Sequence, residues 1–241
     1  MKKFLLILLS LSLFSLATIS NAKTIRIGTE GAYPPWNNLN SAGDLEGAEI
    51  DFGNEACARM GVDCEWVTQD WDGIIPALLQ GKYDIIIAGM SITEERKEKV
   101  NFTNGYMTDG ARFAVLKGSG LADLSIAKKV NLNNAGGKEQ AAIGQLIAAM
   151  DGATVCVQSS TIHQNFLEKH MSGAVNVKLY QAVDDHNLDL AAGRCDAILA
   201  DVGSIIDFME SDGGVDVAFT GPTFSGGVFG DGVGGAIRKE D

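Results

Sequence analysis

The feature that most constrains the fold is a regular alternation of strand and helix signals along the chain. Short apolar runs, each the length of a strand, are separated by segments of helical periodicity. Because parallel strands need a long crossover, usually a helix, such alternation is typical of a largely parallel sheet covered by helices. Strands are predicted at 25–28, 64–68, 83–88, 111–117, 153–158, 175–180, 195–200 and 215–219, and helices at 49–60, 72–81, 138–150, 160–170, 184–192 and 202–210.

These signals fall into two series, and the composition of the chain changes between them. Residues 121–152 are rich in Ala, Asn, Gly and Lys and contain only the helix predicted at 138–150. A chain of 241 residues is long enough for two lobes of ordinary size. The pattern therefore predicts two α/β lobes.

The first 22 residues have the pattern of a secretory signal peptide. Lys2 and Lys3 form a basic start, residues 4–19 are apolar, and residues 20–22 (SNA) form a small-residue cleavage site. The apolar run is slightly short for a membrane span, and no second long apolar segment follows. We predict cleavage after Ala22 and export to a bacterial periplasm, with a retained anchor as the alternative.

The chain is acidic, with 31 Asp and Glu residues against 19 Lys and Arg residues and a formal net charge of −12. Nucleic acids and anionic membranes are bound through basic patches, so neither is an expected partner. The charge favours a cationic ligand only weakly, because most acidic side chains lie on solvated faces.

Four cysteines are candidates for disulfide bonds, since the chain is predicted to enter an oxidising compartment. A helix, a turn at Gly61 and a strand would bring Cys57 and Cys64 together, so we predict that these two pair. Cys156 and Cys195 each belong to a strand-like run. For them, a second disulfide and two buried free thiols both stay open.

Polar and aromatic side chains collect where predicted strands end and helices begin. Open α/β sheets bind ligands at the carboxyl ends of their strands, so these residues are candidates for a binding site. Ser, Thr and Asp at such positions are also ordinary helix caps, which is the alternative. The candidates from these junctions are Glu30, Tyr33, Trp71, Ser91, Arg96, Ser160, Thr161 and Asp201.

Two of the candidates carry charges of opposite sign. The run at 91–94 resembles a capping box and places Arg96 in the first turn of a helix, where a cation opposes the helix dipole. A carboxylate clamped by Arg96 would explain that position, and an exposed arginine in a charged run is the alternative. Asp201 either accepts an ammonium group or caps the helix 202–210. Tyr33 and Trp71 either hold a ligand side chain between them or belong to the core.

The sequence contains no motif of a catalytic or metal centre. His163, His170 and His186 lack the spacing of metal ligands, and residues 184–186 are interpreted as a solvated helix start. There is no nucleophile elbow, P-loop or dinucleotide-binding glycine motif. We therefore expect no metal, no cofactor and no enzymatic activity.

Seven segments together resemble the family 3 periplasmic solute-binding proteins, the amino-acid receptors of ABC importers. The resemblance covers essentially the whole chain after residue 22 and is greatest for the branch that binds lysine, arginine, ornithine, histidine or opines. It implies a type II periplasmic binding protein, in which two α/β lobes joined by a hinge of two crossing strands close on a ligand. The segments are 25–36 (IRIGTEGAYPPW), 47–52 (GAEIDF), 70–78 (DWDGIIPAL), 90–96 (MSITEER), 158–161 (QSST), 192–197 (AGRCDA) and 229–234 (FGDGVG).

The resemblance also implies lobe boundaries and residue roles. Lobe 1 would comprise residues 23–109 and 226–241, with its C-terminal part truncated, and lobe 2 residues 110–225. The Cys57–Cys64 pair matches a bridge of the basic amino-acid branch. The implied contacts are Arg96 and the backbone around Ser91 and Thr161 with the α-carboxylate, Asp201 with the α-ammonium, Tyr33 and Trp71 with the side chain, and Glu30 with a distal cation.

The chain departs from the lysine and arginine receptors at three positions of the site. Ala88 and Gly89 stand where those receptors often have serine, which predicts fewer side-chain hydrogen bonds and a roomier pocket. Ile162 replaces a polar residue that is common after Thr161, and the segment 121–152 is nearer the opine branch in length.

The function that the resemblance implies is a monomeric periplasmic receptor for basic amino acids, arginine first and then lysine or ornithine. Its partners would be the ligand and an inner-membrane ABC permease. An opine such as octopine or nopaline, histidine and a polar neutral amino acid are alternative ligands. A more remote alternative is an enzyme similar to the cyclohexadienyl and arogenate dehydratases, which share this fold.

Overall fold

The computed structural model describes residues 23–134 and 136–241, so the predicted signal peptide at 1–22 lies outside the described residues. The helices are α1 (Ala48–Met60), α2 (Ile74–Leu79), α3 (Glu94–Lys97), α4 (Gly137–Ala149), α5 (Ile162–His170), α6 (Val183–Ala191) and α7 (Val202–Glu210). The strands are β1 (Thr24–Thr29), β2 (Ala32–Tyr33), β3 (Asn37–Leu39), β4 (Leu45–Glu46), β5 (Asp63–Thr68), β6 (Ile85–Ile86), β7 (Asn101–Phe102), β8 (Ala111–Leu116), β9 (Lys129–Asn131), β10 (Thr154–Gln158), β11 (Asn176–Tyr180), β12 (Ala197–Asp201), β13 (Val217–Ser225) and β14 (Ala236–Ile237).

The first sheet has the strand order β5-β1-β6-β14-β7. The pairs β1–β5 and β1–β6 are parallel, whereas β14 runs antiparallel to both β6 and β7. The predicted strand at 83–88 is wrong in extent, because only Ile85–Ile86 forms regular strand. The apolar run is nevertheless buried, as expected of a segment covered on both faces: Tyr83 and Ile86 have no exposed surface.

The second sheet has the strand order β11-β10-β12-β8-β13-β9. It is parallel from β11 to β12, but β8 pairs antiparallel with both β12 and β13. The prediction of a largely parallel sheet is therefore wrong for the two pairs that β8 makes, whereas β13 and β9 are again parallel. The reason is that β8 enters from the first sheet through residues 103–110 and not through a covering helix, so the strand–helix–strand rule does not set its direction.

The two sheets are joined by residues 103–110 and 226–235, which also pair with each other. The amide of Tyr106 donates to the carbonyl of Val233 at 2.9 Å, and the amide of Val233 donates to the carbonyl of Met107 at 2.8 Å. Two paired connections of this kind are the hinge of a two-lobed binding protein. The boundaries of the lobes at residues 109/110 and 225/226 stay a prediction.

Both pairs of cysteines form disulfide bonds. Cys57–Cys64 joins the last turn of α1 to β5, as predicted. Cys156–Cys195, which the sequence left open, joins β10 to the residues before β12. The adjacency of β10 and β12 makes this second bond geometrically accessible. Because it closes a loop with a sequence separation of 39, it stabilises the fold by about 4 kcal/mol in the chain-entropy model.

The predicted helices are otherwise present with small changes at their ends. The helix predicted at 72–81 is shorter, because residues 71–73 form a 3₁₀ turn and α2 begins at Ile74. Among the helices of residues 23–134 and 136–241, none combines the length and apolar character that crossing a membrane requires.

Candidate functional site

A cavity of about 30 Å³ lies between the two sheets and collects most of the predicted site residues. It is built from the carboxyl ends of β1, β10 and β12, from the first turn of α5 and from residues of α3 and α6. The predicted residues that line it are Glu30, Tyr33, Trp71, Gly89, Ser91, Arg96, Thr161 and Asp201. Ser160, also predicted, does not line this cavity and faces a neighbouring groove instead.

Arg96 lies in the first turn of α3, as predicted, and its guanidinium is already held by the protein. The N-cap of α3 is Thr93, whose Oγ1 accepts from the amide of Arg96 at 3.2 Å, so a capping box beginning at Ser91 is wrong. Nη1 of Arg96 donates to the carbonyl of Ser91 at 3.0 Å, and the guanidinium carbon lies 5.2 Å from the centre of the Trp71 ring. Burial lowers the pKa of Arg96 to about 10, so it stays cationic at neutral pH. Arg96, Ser91 and Trp71 form what we call the Arg96 end of the cavity.

Asp201 directs its carboxylate at the cavity and not at its own helix. It occupies the N-cap position of α7 without making a side-chain cap, and Oδ2 of Asp109 accepts from the amide of Gly203 at 2.9 Å instead. Asp201 Oδ2 accepts from the Tyr33 hydroxyl, and Oδ1 lies 3.2 Å from Nε2 of His163. Burial alone would raise the pKa of Asp201, but His163, Tyr33 and Arg96 outweigh burial and hold that pKa below its usual range.

Glu30 follows β1 and is 9 % exposed. Its Oε1 accepts from Nε2 of Gln158 at 2.6 Å, the one hydrogen bond that its carboxylate makes to a side chain within the described residues. Burial raises the pKa of Glu30 to about 7; the Gln158 hydrogen bond opposes the shift and nearby Asp70, Asp72 and Asp184 add to it. We call Glu30 and Gln158 the Glu30 end of the cavity.

Gly89 allows Tyr33 to approach the cavity wall closely. A Cβ at residue 89 would lie 2.9 Å from Cε1 of Tyr33, and its φ of +61° is a conformation that glycine adopts without strain. The amide of Gly89 donates to Oε1 of the buried Glu49 at 2.7 Å, which fixes this backbone. The space that a side chain at position 89 would occupy is therefore filled by Tyr33. The roomier pocket stays a prediction.

Hydrogen bonds across the cavity hold its two walls together. Nε1 of Trp71 donates to the carbonyl of Ser160 at 3.0 Å, which gives Ser160 a role outside the cavity. Oγ of Ser159 donates to Oδ1 of Asp72 at 2.9 Å. With Tyr33–Asp201 and Glu30–Gln158, these contacts describe a closed arrangement of the walls.

Residues 25–219 match the bacterial extracellular solute-binding proteins, family 3. The chain belongs to this family. Among curated relatives, it is 41 % identical to an octopine-binding periplasmic protein of Rhizobium meliloti over 91 % of this chain and 74 % of the relative. It is 38 % identical to an L-arginine-binding protein of Pseudomonas aeruginosa over 100 % of this chain and 86 % of the relative. The family predicted from the sequence is thus confirmed.

Solved structures of similar fold support the same assignment. An ancestral arginine-binding protein bound to arginine has a TM-score of 0.75 and 31 % identity, over 90 % of this chain and 85 % of the other. The arginine-bound form of a truncated ArgBP from T. maritima has a TM-score of 0.72 and 29 % identity, over 90 % and 89 %. These neighbours confirm the two-lobed fold class.

Three polar residues of this solute-binding protein's cavity were missed in the sequence: Gln158, His163 and His186. Gln158 and His163 flank the predicted Thr161, whose Oγ1 caps α5 by accepting from the amide of Gln164. His186 was interpreted as part of a solvated helix start, which is wrong because it has no exposed surface. Its signal was present, since Val183, His186 and Leu190 share one buried face of α6 at helical spacing.

Within the described residues, no group of three or more His, Cys, Asp and Glu side chains is arranged to hold a metal ion. The polar groups of the cavity are instead two carboxylates, one guanidinium, hydroxyls, an amide and imidazoles. This set can bind a ligand that carries both positive and negative charges.

Proposed function

We propose that this protein is a periplasmic receptor for basic amino acids, arginine first and lysine or ornithine next, which delivers its ligand to an ABC permease. The observation that carries the proposal is that Glu30, Asp201 and Arg96 line one cavity. Two carboxylates and one guanidinium complement a ligand with two cationic groups and one carboxylate. The relatives named as arginine- and octopine-binding proteins support it.

In this proposal, each charged group of arginine has a partner in the cavity. The α-carboxylate meets the guanidinium of Arg96 and the amides at the start of α5, where Thr161 is the N-cap. The α-ammonium meets Asp201, whose lowered pKa keeps it a carboxylate. The aliphatic part of the ligand lies against Tyr33 and Trp71, and the distal cation reaches Glu30.

Export, a monomeric state and the absence of catalysis belong to the same proposal. The signal-peptide pattern of residues 1–22 supports export, and membership of a family of solute-binding proteins supports a receptor that does not turn its ligand over. Turnover of prephenate or arogenate by the purified protein would contradict the proposal that it is a receptor without catalytic activity.

Octopine is the second candidate ligand, and the 41 % identical octopine-binding relative favours it. Octopine retains the guanidinium of arginine and carries a second carboxylate, on a carboxyethyl group attached to the α-nitrogen. It would therefore keep the contact with Glu30 and change the contacts around Asp201. Direct comparison of the two affinities separates the candidates.

The test of the proposal is Glu30→Gln, measured by calorimetry with arginine, octopine and glutamine at pH 8. We expect arginine binding to weaken by about 2–5 kcal/mol, because the distal cation loses its buried counter-charge. Glutamine, which lacks that cation, provides the comparison. Glu65→Gln is the matched control, since Glu65 is exposed on β5. Unchanged arginine affinity in Glu30→Gln would remove the basic-ligand proposal.

A further inference from the structure

His186 is a buried polar side chain of the cavity wall that the roles described above do not use. It lies on α6, lines the cavity and has no exposed surface. Neither Nδ1 nor Nε2 makes a well-formed hydrogen bond with the described residues. A buried polar group without a partner costs free energy, and such groups are rare unless something else satisfies them.

The charge state of His186 fixes what its ring can offer a ligand. Burial lowers its pKa to about 3; nearby His163 lowers it further, and the adjacent Asn187 opposes the shift. The ring is therefore neutral at physiological pH. A neutral imidazole has one N–H donor and one nitrogen with a free lone pair, so it can accept a hydrogen bond from a cation without repelling it.

The start of α6, the helix that carries His186, lies beside Glu30, and both residues line the cavity. Helix α6 packs against β2, which begins two residues after Glu30. Asp184, in the first turn of α6, is near enough to Glu30 to raise its pKa. Gln158 bridges the two elements, since its Nε2 donates to Glu30 Oε1 at 2.6 Å and to the carbonyl of Gln181, just before α6, at 2.8 Å.

We infer that His186 accepts an N–H hydrogen bond from the distal group of the bound ligand and, with Glu30, selects a guanidinium over an ammonium group. This rests on the proposed function and names the ligand class within it. A guanidinium presents five N–H donors in a rigid plane, so one edge can face the Glu30 carboxylate while another faces His186. The ammonium of lysine or ornithine is a compact point charge that Glu30 alone satisfies.

The test is His186→Leu, with arginine and lysine affinities measured by calorimetry. We expect arginine affinity to fall about 10- to 100-fold, the loss of a hydrogen bond to a charged group, and lysine affinity to change less than about threefold. His170→Leu is the matched control, because His170 lies on α5 outside the cavity. His186→Gln keeps an acceptor on a side chain of similar reach, and we expect it to retain most of the preference for arginine.

The outcomes distinguish a failure of the role inferred for His186 from a failure of the proposed function. A wild-type protein that binds neither arginine nor lysine overturns the proposed function and the inference together. If the wild type binds arginine and His186→Leu leaves the arginine-to-lysine ratio unchanged, only the inference is overturned. A His186→Gln variant that loses the preference as fully as His186→Leu also overturns it, because the acceptor would then not be the cause. Thermal unfolding of each unliganded variant establishes that it is folded.

Discussion

The Arg96 end and the Glu30 end of the cavity differ in how far the protein itself satisfies their charges. Arg96 stacks on Trp71 and donates to the carbonyl of Ser91, and its pKa of about 10 leaves it charged at neutral pH. Glu30 is buried, has one side-chain hydrogen-bond partner in the described part of the chain, and has a pKa raised to about 7. At neutral pH the Arg96 end is therefore charged before the ligand arrives, whereas Glu30 is only partly ionised.

This difference matches the two tasks of an amino-acid receptor. The α-carboxylate is common to all amino acids, so a preformed Arg96 end can bind it whatever the side chain is. The side chain varies, and at the Glu30 end ionisation of the carboxylate is unfavourable until a cation arrives. Arginine must ionise Glu30 but then gains a buried ion pair with it, whereas a ligand without a distal cation gains no such pair, so the Glu30 end gives selectivity as well as affinity.

The largest expected effect concerns the Arg96 end. Arg96→Leu removes the counter-charge of the α-carboxylate, and we expect the binding of arginine, lysine and glutamine to weaken alike, by about 3–5 kcal/mol. Calorimetry with the three ligands checks this. Because the Arg96 end binds the carboxylate that all three ligands share, the loss of affinity should not depend on the side chain of the ligand.

The control for this change is Arg59→Leu, because Arg59 is exposed on α1, where it pairs with Glu55. We expect it to change the three affinities by less than about threefold. An Arg96→Leu variant that loses arginine binding but keeps glutamine binding would show that Arg96 does not bind the common carboxylate. The proposed difference between the two ends would then be wrong.

A smaller effect is expected at the Glu30 end from Gln158→Leu. Without the hydrogen bond from Gln158, the pKa of Glu30 rises further above its usual range, so ionising it for an arginine ligand costs more. We expect arginine binding to weaken by about 1–2 kcal/mol at pH 7 and by much less at pH 9, where the carboxylate is ionised in any case. Calorimetry at the two pH values measures the difference.

Gln69→Leu, at a glutamine outside the cavity, serves as the control for this variant. Equal losses at pH 7 and pH 9 would mean that Gln158 acts by packing or by touching the ligand directly. The Glu30 end would then owe its properties to something other than the hydrogen bond.

The sequence predicted the fold class well because strand and helix periodicities are local. It failed for the direction of β8, since that strand is reached through a crossing connection and not through a helix. The ends of the short elements α2 and β6 were also predicted wrongly from the sequence, because tertiary pairing decides where they stop.

For the site, charge at a strand end was an informative signal. Arg96 in a first turn opposes the helix dipole, and this local conflict marked it correctly for the cavity. Asp201 could not be separated from an ordinary cap, because the side chain that caps α7, Asp109, is distant in sequence. His186 followed two aspartates and looked solvated, and only the packing of α6 reveals its burial.

At neutral pH, we expect Glu30 to become fully ionised only when it meets the cation of the ligand. Because its pKa is raised to about 7 without a ligand and is expected to fall when arginine binds, binding must release protons near that pH. Affinity should then drop by up to about tenfold per unit as pH falls below 7 and level off above it.

The measurement is calorimetric titration of arginine at pH 7 in buffers of different ionisation enthalpy, for the wild type and Glu30→Gln. We expect the wild type to release up to about one proton per arginine, and this release to disappear in Glu30→Gln. Arginine binding without proton release by the wild type, or release that persists in Glu30→Gln, would contradict it.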